Sequence, residues 1–232
     1  VKSDGSWGGE GVIVARDHDA AIAAYRRLAN PPSRLRNLVR AVRRRDIHFA
    51  VDALTPPKPI ISVQQFIPGK PAASAFAAWQ GEVKGLICYD VLVADETIGP
   101  PNVIQRIDDA EMERASRIVA KYFGLSGLHG LDFIRDAEGR VHLLEINPRG
   151  TQGGTLAFGP GRDLPSALAS AAFGEDSGMR SPITNDTVVL FPREWKREPS
   201  SEWLKKGYHD VPWDDPAVFH VILGDAPKKK SA

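Results

Sequence analysis

Residues 128–149 read LHGLDFIRDAEGRVHLLEINPR. Apolar and polar residues interleave on both sides of a turn at 136–139, which predicts two strands joined by a tight turn. On the second strand, side chains at i and i+2 share a face, so Glu145 and Asn147 stand together, ~7 Å apart. A loop of two or four residues sets Asp132 directly or diagonally opposite Glu145. Like charges at such a cross-strand pair repel. Two acids and an amide oxygen kept on one face therefore point to a cation between them. Oxygen donors without sulfur or imidazole suit Mg²⁺ or Mn²⁺. Arg149 follows with the same parity, where it can meet an anion beside the metal. The competing reading is a half-exposed hairpin with a solvated polar face. A loop of odd length breaks the phase unless a bulge restores it.

The first residues, VKSDGSWGGEGVIV, read as strand, glycine-rich turn, strand. Gly5, Gly8, Gly9 and Gly11 let backbone N–H groups turn toward an anion in conformations other residues avoid. Lys2 can add a point charge to a phosphate. The loop is not GxxxxGK[ST], and no GxGxxG lies between a strand and a helix. Alone, such a hairpin is more often just a flexible turn. Trp7 inside it either caps a closed site or packs the loop onto its own lobe.

Together these pieces resemble the ATP-grasp superfamily. The matching segments are Lys2 with the loop 5–11, VQQFIPG at 63–69, and GLDFI…LLEINPR at 130–149, in the order the family uses. The resemblance implies an α+β, ATP-grasp fold, two α+β lobes that clamp a nucleotide. It implies that the chain opens in mid-strand, in an incomplete first lobe, with a further N-terminal portion before it. The expected division is 1–80 for the first lobe, 81–180 for the second with the metal site, and 181–232 for an extension. The implied activity is that of an ATP-dependent ligase, which joins a carboxylate to an amine or thiol through an acyl phosphate. ATP and Mg²⁺ (or Mn²⁺) are the implied cofactors. Asp132, Glu145 and Asn147 match the metal ligands. Arg149 matches the residue that steadies the transferred phosphoryl group. Lys2 and the glycines match the phosphate cover. Gln64, Gln65 and Ile67 fall where the family's strand meets adenine, and Val12 and Leu144 where apolar side chains sandwich the base.

Some positions depart from the pattern. Gln64 stands where glutamate is frequent, and keeps a carbonyl acceptor. Pro71 falls near the place of a glutamate that holds the ribose hydroxyls, which proline cannot do. Biotin carboxylases of the superfamily carry glutamine and glutamate at the positions of Thr151 and Gly153, so bicarbonate activation is disfavoured here. A nucleotide-binding or regulatory module with a degenerate site is the alternative to a ligase, and a kinase on the same fold a further one.

The 232 residues suffice for a real core, and a formal net charge of +1 gives no global reason to expect nucleic acid. No apolar run of ~18 residues spans a bilayer. The single cysteine excludes an internal disulfide and agrees with a reducing, cytoplasmic setting. Cys88 lies in GLICYDVLV and reads as a buried strand residue. The expected partners are a small-molecule carboxylate and an amine or thiol co-substrate; a homodimer is left open.

Outward from these motifs, helices are expected at 17–28, 33–45, 109–123 and 202–206, with another from Asp163 to its stop at Gly174. The arginine-rich helix at 33–45 reads as a solvated face, since no aromatics interleave with its charges. Strands at 73–80 and 83–93 should extend the first sheet or lead to the second lobe. Others are expected at 187–191 and 217–223. Trp195, Trp203 and Trp213 read as packing anchors, His129 and His142 as structural, and His209 with Asp210 as a surface turn. Arg106 and Lys84 can reach phosphates or serve packing.

Overall fold

The structure is a computed structural model that describes residues 1–3, 11–30, 42, 60–95, 99–174 and 176–224. Gly5, Gly8, Gly9 and Trp7, the helix at 33–45 but for residue 42, the proline-rich connection at 55–59 and the lysines at 228–230 lie outside the described residues. The chain divides into two units, Val1–Phe66 and Ile67–Ala232.

In the first unit, β1 (Lys2–Ser3) pairs antiparallel with β2 (Ile61–Ser62). On its other side Ser3 N donates to Gly11 O and Ile13 N to Val1 O, each at 2.9 Å. These bonds make 1–3 and 11–13 the two arms of the expected hairpin. Gly11 leaves the turn at φ 85°, where a Cβ would be strained. Helix α1 (His18–Ala29) starts at Asp17, whose carboxylate accepts from Ala20 N at 2.8 Å. The strand expected at 63–69 does not form. The ladder of β2 stops at Ser62, residues 63–68 are irregular, and Pro68 lacks the N–H that a continuing ladder needs.

The second unit is built on a seven-stranded sheet in the order β7-β6-β3-β4-β5-β8-β9. The strands are β3 (Lys70–Trp79), β4 (Glu82–Ala94), β5 (Pro101–Ile107), β6 (Gly127–Arg135), β7 (Val141–Asn147), β8 (Thr187–Val189) and β9 (Tyr208–His209). All neighbours are antiparallel except β8 and β9. β3 and β4 turn at Gln80–Gly81, both with positive φ, as a two-residue hairpin requires. β3 lies at the centre, hydrogen-bonded to β4 and β6, so it belongs to this sheet and not to that of the first unit.

Alternation along β3 sends two different surfaces to the two faces. Phe76 and Ala78 join Leu86, Cys88, Leu131 and Phe133 under α2 (Ala110–Phe123), which buries Met112, Ser116, Val119 and Ala120. That i, i+4, i+7, i+8 stripe is the one expected of an amphipathic helix. Asp109 caps its start and Gly124, at φ 61°, ends it. On the other face Ala73, Ala75 and Ala77 are small, so the chain after β7 and helix α3 (Leu164–Phe173) approach closely. A Cβ on Gly85 would meet Ala167 at 3.1 Å.

Asp163 secures this second layer. It is 3% exposed, caps α3 at Ser166 N, and accepts from the backbone and guanidinium of Arg180. The Arg180 hydrogen bonds outweigh the cost of burial and hold its carboxyl down to about 2. A depressed carboxylate contributes stability above its ordinary value of 3.8 and loses it as pH falls through about 2. Asp163→Asn keeps a capping oxygen but removes the charge. It is expected to cost about 1–2 kcal/mol at pH 7, at the low end because Arg180 is half exposed. Denaturant melts should show the gap between parent and variant closing below pH 3.8. A pH-independent gap would contradict this assignment.

The C-terminal segment adds α4 (Arg193–Arg197), α5 (Trp203–Lys206) and α6 (Pro216–Leu223). The strand expected at 217–223 is a helix. PAVFHVIL has no alternation to distinguish the two, and its ends decide. Asp215 accepts from Val218 N, Pro216 takes the first turn, and Gly224 closes at φ 86°. Trp213 is largely exposed and stacks on Phe219, while Trp195 packs edge-on to Phe191 and His209. His209 and Asp210 are not a surface turn. His209 is on β9, and the Asp210 carboxylate accepts from Phe191 N, with burial raising its pKa.

Candidate active site

Five residues are successive register partners across the sheet: Arg106, Tyr89, Ala73, Asp132 and Glu145. Directly opposed residues point to the same side, so they form one row on the face that carries α3. In the next row stand Ile87, Ala75, Gly130 and Asn147. Asn147, 7% exposed, donates through Nδ2 to Asp132 Oδ2 at 2.9 Å.

The opposition of Asp132 and Glu145 depends on a bulge. The loop between β6 and β7 is residues 136–140, an odd count. Asp136 sets that length. It accepts from Glu138 N and Arg140 N, and its carboxylate is gripped by the side chains of His142 and Arg140. The His142 bond first, and Arg140 with it, hold the Asp136 pKa down to about 2. From the loop, Arg135 pairs with Val141, Ile134 with His142 and Phe133 with Leu143; then Asp132 pairs with Glu145. Leu144 is the extra residue. Without it in a bulge, Asp132 would face Leu144 and Glu145 would turn to the α2 face. The ladder also puts His142, opposite Ile134, on the face of the acids, although its ring serves the turn.

Beyond β7 the chain crosses back over the sheet. Arg149 is exposed, and its Nη1 lies 3.4 Å from Gly150 O. Thr151 sits over Gly130, where an added Cβ would come within 2.5 Å of the threonine side chain. Gly153, at φ 84°, lies against the Tyr89 ring, and Gly154 near Ala75. Tyr89 is 3% exposed and its hydroxyl donates to Gln152 O at 2.9 Å. Burial, and then the charge of Asp132, push the Tyr89 pKa up, so the phenol stays a donor. The sequence held no motif for this tyrosine. Its only sign was a phenol in the apolar run of β4.

The remaining expected residues divide between the units. Lys2 bridges to Val12 in the first, near Gly11. Gln64 and Gln65 are exposed in the irregular stretch after β2, and Ile67 is half-buried at the start of the second unit. Leu144 is exposed on the bulge. Arg106 is engaged by Asp186 and Asp108, and Lys84 by Glu82, which fits packing and not phosphate contact. His129 is buried beside Phe76 on the α2 face.

Asp132, Glu145 and Asn147 offer only oxygen donors of the kind that suit a hard divalent cation. With the Asn147 nitrogen on Asp132, the amide oxygen would join such an ion after a half-turn of the amide. Among the described residues no group of three or more His, Cys, Asp or Glu is placed to hold a metal. The set at Asp132 has two acids and an amide.

Residues 39–153 match the family model of the ATP-grasp domain. Three solved structures are similar at low identity. The biotin carboxylase domain of 2-oxoglutarate carboxylase from Hydrogenobacter thermophilus is 16% identical, over 78% of this chain and 37% of that one, with a TM-score of 0.49. L-amino acid ligase from Bacillus licheniformis is 18% identical, over 69% and 38%, with a TM-score of 0.43. The phosphoribosylaminoimidazole carboxylase ATPase subunit from Aquifex aeolicus is 16% identical, over 49% and 38%, with a TM-score of 0.37. The chain thus spans less than two-fifths of the length of each. No curated protein matches it. No helix among the described residues is long and apolar enough to cross a membrane. With a mixed α+β sheet, the acid pair, amide and arginine of the hairpin, and the family match over the same residues, the chain belongs to the ATP-grasp superfamily.

Proposed function

We propose that the protein is an ATP-dependent ligase that activates a carboxylate as an acyl phosphate and hands the acyl group to an amine or thiol. The observation that carries this reading is the Asp132–Glu145 opposition, maintained by a bulge, with Asn147 on Asp132 and Arg149 two residues on. Two opposed carboxylates with an amide beside them supply the oxygen donors that a hard divalent cation takes.

Asp132, Glu145 and Asn147 would hold Mg²⁺, which when bound neutralises charge on the β- and γ-phosphates of ATP. A carboxylate oxygen of the acid attacks the γ-phosphorus, the bond to the β-bridging oxygen breaks, and ADP leaves. The nucleophile then attacks the acyl carbon, and the carbon–oxygen bond to phosphate breaks. Negative charge grows on the non-bridging oxygens in the first step and on the acyl oxygen in the second. Arg149, exposed just past the end of β7, would meet that charge. Gly153 supports a free carboxylic acid over bicarbonate. Its φ of 84° and the Tyr89 ring, 3.1 Å from where a Cβ would stand, leave no room for an acidic side chain there.

The test is product chemistry. ADP and phosphate should appear only with both an acid and a nucleophile present. Hydroxylamine should trap a hydroxamate, and oxygen-18 should pass from the acid into released phosphate. AMP and pyrophosphate as products would overturn the proposal.

A further inference from the structure

Tyr89 links the acid row to the chain beyond Arg149. Its phenol donates to Gln152 O at 2.9 Å, and its ring edge faces Gly153. One row over, Thr151 fills the space left by the missing side chain of Gly130. Gly130 is itself the register partner of Asn147. Residues 151–153 are thus held at two points on the sheet, one beside each row of proposed ligands.

The tyrosine also touches the acid side of the row. Ala73 alone separates Tyr89 from Asp132, and the Asp132 charge is felt at the phenol. A tyrosine here that served only to fill the core would not need its hydroxyl, because the surrounding residues are apolar: Ile87, Ile104, Leu156 and Leu164. A buried hydroxyl is costly unless bonded, and this one is bonded to the loop.

We propose that Tyr89 is a positioning residue for the reaction: its hydroxyl fixes the 149–153 segment on the sheet and so sets Arg149 relative to Asp132. This rests on the ligase reading. It adds that the arginine is presented on a preset loop and is not recruited by a lid. An orienting group of this kind acts on the rate of the chemical step more than on ground-state nucleotide binding.

Tyr89→Phe keeps the ring against Gly153 and removes only the donor. In the full chain, amide exchange at 150–154 should quicken about tenfold, the worth of one ordinary hydrogen bond. With ATP, acid and nucleophile, kcat should fall about tenfold or more while KM for ATP stays within about twofold. Gly153→Ala, which forces a Cβ toward the same ring, should give the same kcat-against-KM split. Unchanged exchange at 150–154 in Tyr89→Phe overturns the proposal whatever the activity. A change in KM for ATP with kcat unaltered also overturns it. Should the parent turn over no ATP with any acid, the ligase reading fails, and the exchange comparison still decides whether Tyr89 holds the loop.

Discussion

Replacing Glu145 by glutamine is expected to leave the fold intact and to lower ATP turnover by about 10²–10³-fold, the cost of weakening the hold on a cation that neutralises developing phosphoryl charge. The two effects separate because the residue sits at an edge. β7 is the outermost strand beside β6, and Glu145 is only half-buried. Glutamine keeps the volume and one oxygen while losing the charge. Turnover and a thermal melt on the same preparation check both halves. A variant that retains most of its turnover would remove Glu145 from the metal site. One that melts far below the parent would make it a structural residue.

Arg149→Ala should also cost about 10²–10³-fold, but in kcat, with affinity for an ATP analogue changed only a few-fold. The guanidinium is exposed past the end of β7, so the variant should still fold. Single-turnover measurements against analogue binding separate the outcomes. If the loss lies wholly in nucleotide affinity, Arg149 binds the ground state and the proposed stabilisation of transferred charge is wrong. Lysine at this position should restore part of the rate, as a point charge without the planar fork.

Capping residues mark three helices in the sequence almost to the residue: Asp17, Asp109 and Asp163 at the starts, Gly124 and Gly174 at two of the ends. Caps are local chemistry, a side-chain oxygen on an N–H two or three residues away, and the sequence contains both partners. Where the signal is not local, the sequence misleads. The stretch at 63–68 is apolar enough for a strand but finds no ladder.

By itself the sequence determined which residue types are present and at what spacing. Two acids, an amide and an arginine on a predicted hairpin, a glycine-rich turn after Lys2, and the helix boundaries all follow from neighbours along the chain. The tertiary structure alone decided which of those residues meet. The phase of β7 depended on one extra residue, Leu144, and on a loop whose length the Asp136 hydrogen bonds set. It also decided that Tyr89, some forty residues before Asp132 in sequence, lies one strand beyond its neighbour and holds the turn after Arg149. Side-chain period along a strand is two, so a single inserted residue reverses every face beyond it. Whether a ladder absorbs that residue in a bulge depends on which face the rest of the sheet must bury, and no window of sequence contains that.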